Sequence, residues 1–260
     1  MPHSNAGAHA GTKPLPRLAI IGRGRVGGAL ARAGEAAGTD LATAGREDAL
    51  QVARGAEAAL LCVPDAEIGR ACEAIAGAVP PLRLVGHVSG ATTLDALAAA
   101  TDRGAIAFSL HPLQTVPDER TDLTGAPCAI AGSHPEAVEF ARKLTEVLGM
   151  RPFEVPEHRR AAYHAAASIA SNFLVALQES AAELFETAGI DDARDLLAPL
   201  VLRTAANWSE RGGDALTGPI ARGDEATVAE HLAALRDIAP ELVPMYEALA
   251  ERTRALGGRP

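Results

Sequence analysis

The stretch Leu18-Ala19-Ile20-Ile21-Gly22-Arg23-Gly24-Arg25-Val26-Gly27-Gly28 constrains this chain more than any other. A short apolar run feeds directly into Gly-x-Gly-x-x-Gly, and the helix-compatible Ala29-Leu30-Ala31-Arg32-Ala33 follows. Strand, tight turn and helix in that order bring free N–H groups and the positive end of a helix against phosphates. Gly22 permits the turn, Gly24 lets the backbone approach a pyrophosphate, and Gly27 lets the helix close on the strand. Arg23, Arg25 and Val26 complete a loop that the pattern predicts to bind a dinucleotide.

The next strand selects the dinucleotide. Thr39-Asp40-Leu41-Ala42-Thr43-Ala44 reads as that strand, and it exits at Gly45-Arg46. A site for NAD usually ends this strand with an acid for the ribose 2′-hydroxyl, whereas a 2′-phosphate is met by Arg. No acid stands at this tip, and Glu47 and Asp48 come only after the turn. The forked guanidinium of Arg46 suits a phosphate, with Arg23 and Arg25 adding charge nearby. NADP(H) is therefore the expected cofactor; the alternative is that Arg46 is an ordinary solvated loop residue.

At 260 residues the chain can build one large or two modest domains with a real core. A net charge of −9 leaves no basic footprint for nucleic acid. No apolar stretch approaches the roughly 18–20 residues that span a bilayer, so no membrane partner is expected. Residues 1–16 read as a Gly/Ala/His/Pro tail without a signal-peptide pattern. Cys62, Cys72 and Cys128 form no paired motif and read as reduced core residues, which points to the cytoplasm. Neither His-Glu-x-x-His nor a Cys/His cluster occurs, so no metal is expected.

Apolar runs alternate with helical segments through the first half. Strands are predicted at 58–63, 82–88, 105–110, 128–131 and 151–155, with helices at 68–78 and 136–148. This alternation predicts an α/β fold with a doubly wound, mostly parallel sheet. Beyond Pro156 strand-like runs cease, and helices are predicted at about 159–188, 191–210, 224–238 and 241–256. The expected organisation is a tail over 1–16, a nucleotide domain over 17–155 and a smaller all-α domain over 156–260.

In open α/β sheets ligands gather outside the carboxyl ends of the strands. Those ends carry Gly22–Gly27, Arg46, Val63-Pro64-Asp65, Ser89-Gly90 and His111-Pro112-Leu113-Gln114. Val63 and Pro64 are expected to cover the cofactor's sugar and ring, and Ser89 to border the nicotinamide. His111, held by Pro112 at a strand exit, is a candidate for the cleft, whereas His87 suits the core equally well. On the first long helix of the second half, His164, Ser168 and Asn172 recur at i, i+4, i+8, with Ser171 among them on one face. Polar groups on an otherwise Ala-rich stripe need partners, since an unpaired buried one costs about 1–3 kcal/mol. The stripe is either a polar seam between helices or a catalytic face.

Four stretches carry a family resemblance: His87-Val88-Ser89-Gly90-Ala91, His111-Pro112-Leu113-Gln114, Tyr163-His164-Ala165-Ala166-Ala167-Ser168 with Ser171-Asn172-Phe173, and Gly218-Pro219-Ile220-Ala221-Arg222-Gly223-Asp224. Through them the chain resembles the 6-phosphogluconate-dehydrogenase-like superfamily. Within it, the chain resembles bacterial oxidoreductases that join a Rossmann-like half to a helical domain of unknown function. Better-known relatives include ketopantoate reductase, pyrroline-5-carboxylate reductase and β-hydroxyacid dehydrogenases. Several of these use a Lys on the first long helix with Asn one turn later. This chain departs from that pattern, because its lysines are Lys13 and Lys143 and position 164 is His. Histidine, with a pKa near 6.5, can exchange a proton at neutral pH.

The resemblance implies an NADP(H)-dependent oxidoreductase reducing a small keto or imino acid, 2-dehydropantoate first and pyrroline-5-carboxylate second. His164 would donate the proton, Ser168 and Asn172 would orient the substrate, and His111 would face the cleft. Ser171 and Arg222 would contact the substrate, Arg222 through a carboxylate. The relatives also imply a homodimer through the helical domain, whose first helix would otherwise expose apolar surface. The alternative is an NADP-binding regulator without turnover.

Overall fold

A computed structural model of the protein describes residues 15–257. Lys13 and nearly all of the expected tail lie outside the described residues. Seven strands form one sheet: β1 (Leu18–Ile21), β2 (Leu41–Ala44), β3 (Ala58–Leu61), β4 (Leu84–His87), β5 (Ile106–Pro112), β6 (Pro127–Gly132) and β7 (Arg151–Glu154). Their spatial order is β2-β1-β3-β4-β5-β6-β7. The strands from β1 to β5 are mutually parallel, β6 runs antiparallel to β5, and β7 follows β6. The doubly wound, mostly parallel sheet is present.

The sheet is covered by α1 (Arg25–Ala36), α2 (Ala49–Ala53), α3 (Ile68–Ala76), α4 (Ala98–Thr101) and α5 (Pro135–Val147). Strand alternation explains why both faces need helices. In β1, Leu18 and Ile20 join a core with Leu30, Phe140 and Leu144 from α1 and α5. Their neighbours Ala19 and Ile21 join a separate core with Ile68, Cys72 and Leu97. The three cysteines are free and buried.

Register places one catalytic candidate. The first part of β5 pairs with β4, His87 opposite Ser109. The later part pairs with β6, His111 opposite Ala129. His111 therefore overhangs the end of β4 while still held in a ladder. It was expected at the strand exit and lies inside the strand instead, because β6 continues the pairing past the point where β4 stops.

The helices that follow are α6 (Arg160–Ala170), α7 (Asn172–Thr187), α8 (Ala193–Arg211), α9 (Pro219–Arg222), α10 (Glu225–Ile238) and α11 (Val243–Gly257). The single helix expected over 159–188 is broken at Ser171, whose φ of −120° and ψ of −76° leave the helical region. Ser and Asn compete with the helix for their own backbone groups, which suits them to such a break. The chain divides into two compact units, the first ending at Ile169 and the second beginning at Ala170. This boundary falls later than the expected one near Pro156. The reason is α6, whose Arg160 is 2% exposed and bonded to the sheet unit.

Within the second unit, Arg194 meets Glu179 and Arg254 meets Glu225, each through two hydrogen bonds. Asp224 caps α10 by accepting from the Thr227 backbone N–H at 3.1 Å, as its sequence position leads one to expect. The helices bury little: Ala182 is the buried residue of α7 and Ala193 that of α8.

Candidate functional site

The glycine-rich turn is shaped by steric necessity. Gly22 adopts φ +117°, and a Cβ there would sit 2.2 Å from the Cys62 carbonyl oxygen. A Cβ on Gly27 would sit 2.0 Å from the Gly22 carbonyl oxygen, so the helix can approach the strand only with hydrogen at that position. Gly24 is different, with open space around it. It stands at the N-cap of α1, where no side chain caps the helix and no acid occupies the first turn. The first N–H groups of α1 are left facing that open space, as a phosphate requires. Arg25 is exposed beside them, while Val26 is partly buried against the core.

Beside the turn lies a cavity lined by Gly22, Gly45, Arg46, Val63, Pro64, Glu67 and Arg70 among others. Four of these, Arg46, Val63, Pro64 and Gly22, are residues expected at the cofactor. Arg70 and Glu67 were missed, although they follow the end of β3 by only nine and six residues. Arg46 is 86% exposed and pairs with Glu67 at 3.3 Å; Arg70 pairs with the same carboxylate at 3.3 Å. The chemistry fits a phosphorylated nucleotide, with two guanidinium groups held on one carboxylate at the rim of an apolar recess.

Arg23 does not stand free. Its guanidinium pairs with Asp48 at 2.7 Å and donates to the Thr43 carbonyl. Asp48 also accepts from the Gly45 N–H at 2.7 Å, so an acid set after the turn folds back to the strand tip. These bonds hold its carboxyl below the usual range against its desolvation. Both its oxygens are engaged, so Arg23 is held on Asp48 while the more exposed Arg46 rests on Glu67.

Further along the same sheet edge the loop after β4 is braced from several sides. Ser89 Oγ accepts from the backbone N–H groups of Ala91 and Thr92 at 3.2 and 2.9 Å. Ser89 is 5% exposed, so its hydroxyl serves this turn rather than an open cleft. The Ser89 N–H donates to His87 Nδ1 at 3.2 Å. His87 is fully buried, and burial followed by the nearby Arg160 charge pushes its pKa down to about 4. Its position is that of a core residue, although its buried Nε2 has no hydrogen-bond partner among the described residues.

Arg160 ties this loop to β5 and α6. Its Nε donates to the Thr92 carbonyl at 2.8 Å, and its Nη2 to the Ser89 carbonyl at 3.2 Å and Ser109 Oγ at 2.6 Å. Glu157 lies 3.4 Å from Nε and accepts from the Leu94 N–H at 2.9 Å. Sequence reasoning missed Arg160, since Glu157-His158-Arg159-Arg160 looks like a solvated run. The available signal was spacing: Arg160, Tyr163, His164 and Ser168 share one face of a helix.

That face brings His164 to His111, their ring centroids 6.0 Å apart and the planes inclined at 72°. Tyr163 Oη lies 2.7 Å from His111 Nδ1. Burial pushes His111 down to about 4, with the His164 and Arg160 charges acting in the same direction. Burial likewise pushes the Tyr163 phenol up to about 12. Ser168 is half-buried on the same face. Ser171 and Asn172 do not extend this stripe, because the helix break at Ser171 ends it, and Asn172 is exposed. Arg222 is an exposed residue at the end of α9 in the second unit.

Among the described residues, no group of three or more His, Cys, Asp or Glu is arranged to hold a metal ion. Among them, too, no helix is long and apolar enough to cross a membrane.

A βαβ sheet opening on a phosphate-shaped glycine turn defines a Rossmann-like protein with an appended helical unit. Comparison agrees: residues 4–112 match the Rossmann-like domain family, and residues 126–253 match a domain of unknown function, DUF2520. The two matches follow one another along the chain, a Rossmann-like segment and then a DUF2520 segment. No curated protein matches it significantly by sequence. Among solved structures it is similar to a Bacteroides fragilis protein provisionally named an NADP oxidoreductase, at 22% identity and TM-score 0.76 over 93% of this chain and 98% of that one. It is similar to Thermotoga maritima TM1727 at 20% identity and TM-score 0.74, over 92% and 98% of the two chains. Plasmodium falciparum pyrroline carboxylate reductase with NADP bound aligns at 14% identity and TM-score 0.60, over 94% and 98%. At these identities the likeness is one of fold.

Proposed function

We propose that this chain is an NADP(H)-dependent oxidoreductase that reduces a small keto or imino acid. The observation that carries the reading is an open, uncapped glycine turn after β1 together with His111 of β5 facing His164 of α6. When bound, the reduced nicotinamide supplies the hydride. Gly22, Gly24 and Gly27 hold the pyrophosphate against α1, with Arg25 beside them. Arg46 and Arg70 hold the 2′-phosphate, and Val63 and Pro64 cover the adenosine side of the cavity. His164 donates a proton to the substrate oxygen or nitrogen as the adjacent carbon is reduced, and Ser168 orients the substrate. Ser171, Asn172 and Arg222 are assigned substrate contacts on the family resemblance. Arg222→Ala raising the KM of a carboxylate substrate, with cofactor affinity unchanged, tests that assignment.

Two of the similar structures are named pyrroline carboxylate reductases and others a reductive aminase in complex with NADPH, which supports an imine substrate beside the keto acid. Fluorescence titration with NADPH and NADH tests the cofactor: tighter NADPH is expected, and equal or tighter NADH refutes the roles of Arg46 and Arg70. Oxidation of NADPH at 340 nm with pyrroline-5-carboxylate and 2-dehydropantoate tests the reaction. Binding of NADPH without turnover across keto and imino acids would favour a regulator.

The second unit supports a homodimer as its assembly. Leu200 and Leu202 on α8 are 63% and 70% exposed, Trp208 is 66% exposed, and Phe173 and Val175 on α7 are 57% and 61% exposed. Apolar surface on that scale marks an interface, and a second copy of the chain can cover it through a two-fold axis. Light scattering at micromolar concentration is the test; a monomer refutes it.

A further inference from the structure

The two imidazoles converge on Gly90. A Cβ at that position would lie 2.8 Å from His164 Cδ2, 2.9 Å from His111 Cε1 and 3.0 Å from His111 Nε2. The Nε2 edge of His111 is thus turned toward the bare backbone at Gly90, where only a glycine leaves room beside two rings. The opposite nitrogen, Nδ1, meets the Tyr163 hydroxyl at 2.7 Å. The two ring nitrogens have different partners, and which carries the proton decides what the ring can do.

The tautomer follows from the phenol. Among the described residues, His111 is the partner of the Tyr163 hydroxyl. If Nδ1–H were the donor, the phenol proton would have no protein acceptor among the described residues. With the phenol as donor, Nδ1 accepts and the ring's proton sits on Nε2, at the edge facing Gly90. Sheet geometry fixes the ring further, because His111 lies within β5 and pairs with Ala129 of β6. Tyr163 is fixed in turn, three residues beyond the buried anchor Arg160 and edge-on to Phe153 with centroids 6.0 Å apart.

We propose that His111 is a catalytic residue that donates its Nε2–H to the carbonyl oxygen or imine nitrogen of the substrate, and that Tyr163 is the positioning residue holding the ring in that tautomer. The inference rests on the reductase reading above and divides the work between the rings. His111 polarises the double bond and keeps its proton. His164 gives up a proton to the oxygen or nitrogen while the carbon accepts the hydride, yielding an alcohol or an amine. His164 then recovers its proton from water. The charged and titratable groups around His111 are Tyr163, His164, Arg160, Asp65 and His87. Two of these, His164 and Arg160, oppose a positive charge on the ring. An uncharged imidazole is a hydrogen-bond donor that does not release its proton at neutral pH.

Long-range proton–nitrogen NMR on the full chain, with His111→Gln used to assign the signals, reads the tautomer directly. The expected result is the Nε2–H form of His111 from pH 5.5 to 8, on the order of a unit or more above its depressed pKa. Tyr163→Phe should turn this into a tautomer mixture and lower kcat about tenfold, with the Kd for NADPH unchanged. His111→Gln, which keeps an N–H near the position of Nε2, should retain more activity than His111→Leu. An Nδ1–H tautomer in the wild-type protein overturns the proposal, as does Tyr163→Phe that keeps both the tautomer and the rate. If Tyr163→Phe fails to fold, the wild-type spectrum and the Gln–Leu contrast still decide. A wild-type protein that reduces no carbonyl or imine with NADPH defeats the reductase reading itself, and the catalytic role with it.

Discussion

Every residue of β1, from Leu18 to Ile21, is buried, whereas α7 buries Ala182 along sixteen residues. The contrast runs through both units. The sheet unit splits its apolar residues between two closed cores, one on each face. The helical unit leaves Leu196, Leu200 and Leu202 of α8 more than half exposed. A parallel strand must be covered on both sides, so a sheet and its helices complete their burial within one chain. A helix needs only one covered stripe and can find that cover on another molecule. The sheet unit therefore closes both of its own cores, and the helical unit leaves large apolar side chains uncovered.

Two leucine substitutions test this comparison with the largest expected effect. Leu60→Ala, at a fully buried position in β3, should cost about 2–5 kcal/mol whatever the protein concentration. Leu200→Ala should cost under about 0.5 kcal/mol if its 63% exposure persists in solution. In a dimer the loss should grow and vary with protein concentration. Urea unfolding at two concentrations separates these outcomes, and a concentration-independent small loss would break the comparison.

Acid sensitivity should come from the sheet unit. His87 and His111 are both lowered from 6.5 to about 4, His87 by burial and then Arg160, His111 by burial and then His164 and Arg160. Between those values the unfolded chain binds protons that the folded chain refuses. Their contribution is complete above about pH 6.5 and is lost as pH falls toward 4, at about 1.4 kcal/mol per unit of depression for a fully buried ring. Melting temperature followed from pH 7 to 4.5 should fall, less steeply in His87→Gln. An unchanged slope in that variant would remove His87 from the account.

A smaller effect is expected at Gly90, where the sheet unit is tight around the two rings of the proposed site. Gly90→Ala places a methyl within 3.0 Å of both imidazoles. Turnover should fall about tenfold, about 1.4 kcal/mol, while NADPH affinity stays within twofold. Equal losses in binding and turnover would mean that the loop, not the rings, had moved. The smallest effect concerns Glu67, whose carboxylate holds Arg46 and Arg70 and would stand near a 2′-phosphate. Glu67→Gln should tighten NADPH about two- to fivefold at low salt and leave NADH unchanged, since exposed pairs are worth under about 1 kcal/mol. Weaker NADPH binding would show that Glu67 orients the arginines rather than competing for them.

What the sequence revealed follows the range of the forces involved. Strands and the glycine turn were legible because burial patterns and positive φ are imposed residue by residue. The cavity wall at Val63, Pro64 and Arg46 followed from strand ends alone. Pairing across distant segments was not legible. The overhang of His111 depends on β6 continuing where β4 stops, and Asp48 is held by Arg23 from twenty-five residues upstream. The break at Ser171 carries neither Gly nor Pro, so a continuous helical wheel placed Asn172 on a stripe it does not share. Arg160 hid within a charged run because burial of a guanidinium depends on carbonyls supplied more than fifty residues away.

Holding His111 inside β5 has a consequence for how such a protein could diversify. A side chain flanked by ladder bonds inherits the stiffness of the sheet and cannot follow substrates of different size. The segment from Leu113 to Ala126, which joins β5 to β6, has no such restraint from a regular element along its length. Insertions and replacements there can reshape the mouth of the site without shifting the ring. The strand fixes the position of the ring, and the adjoining loop is the part free to vary in length and composition.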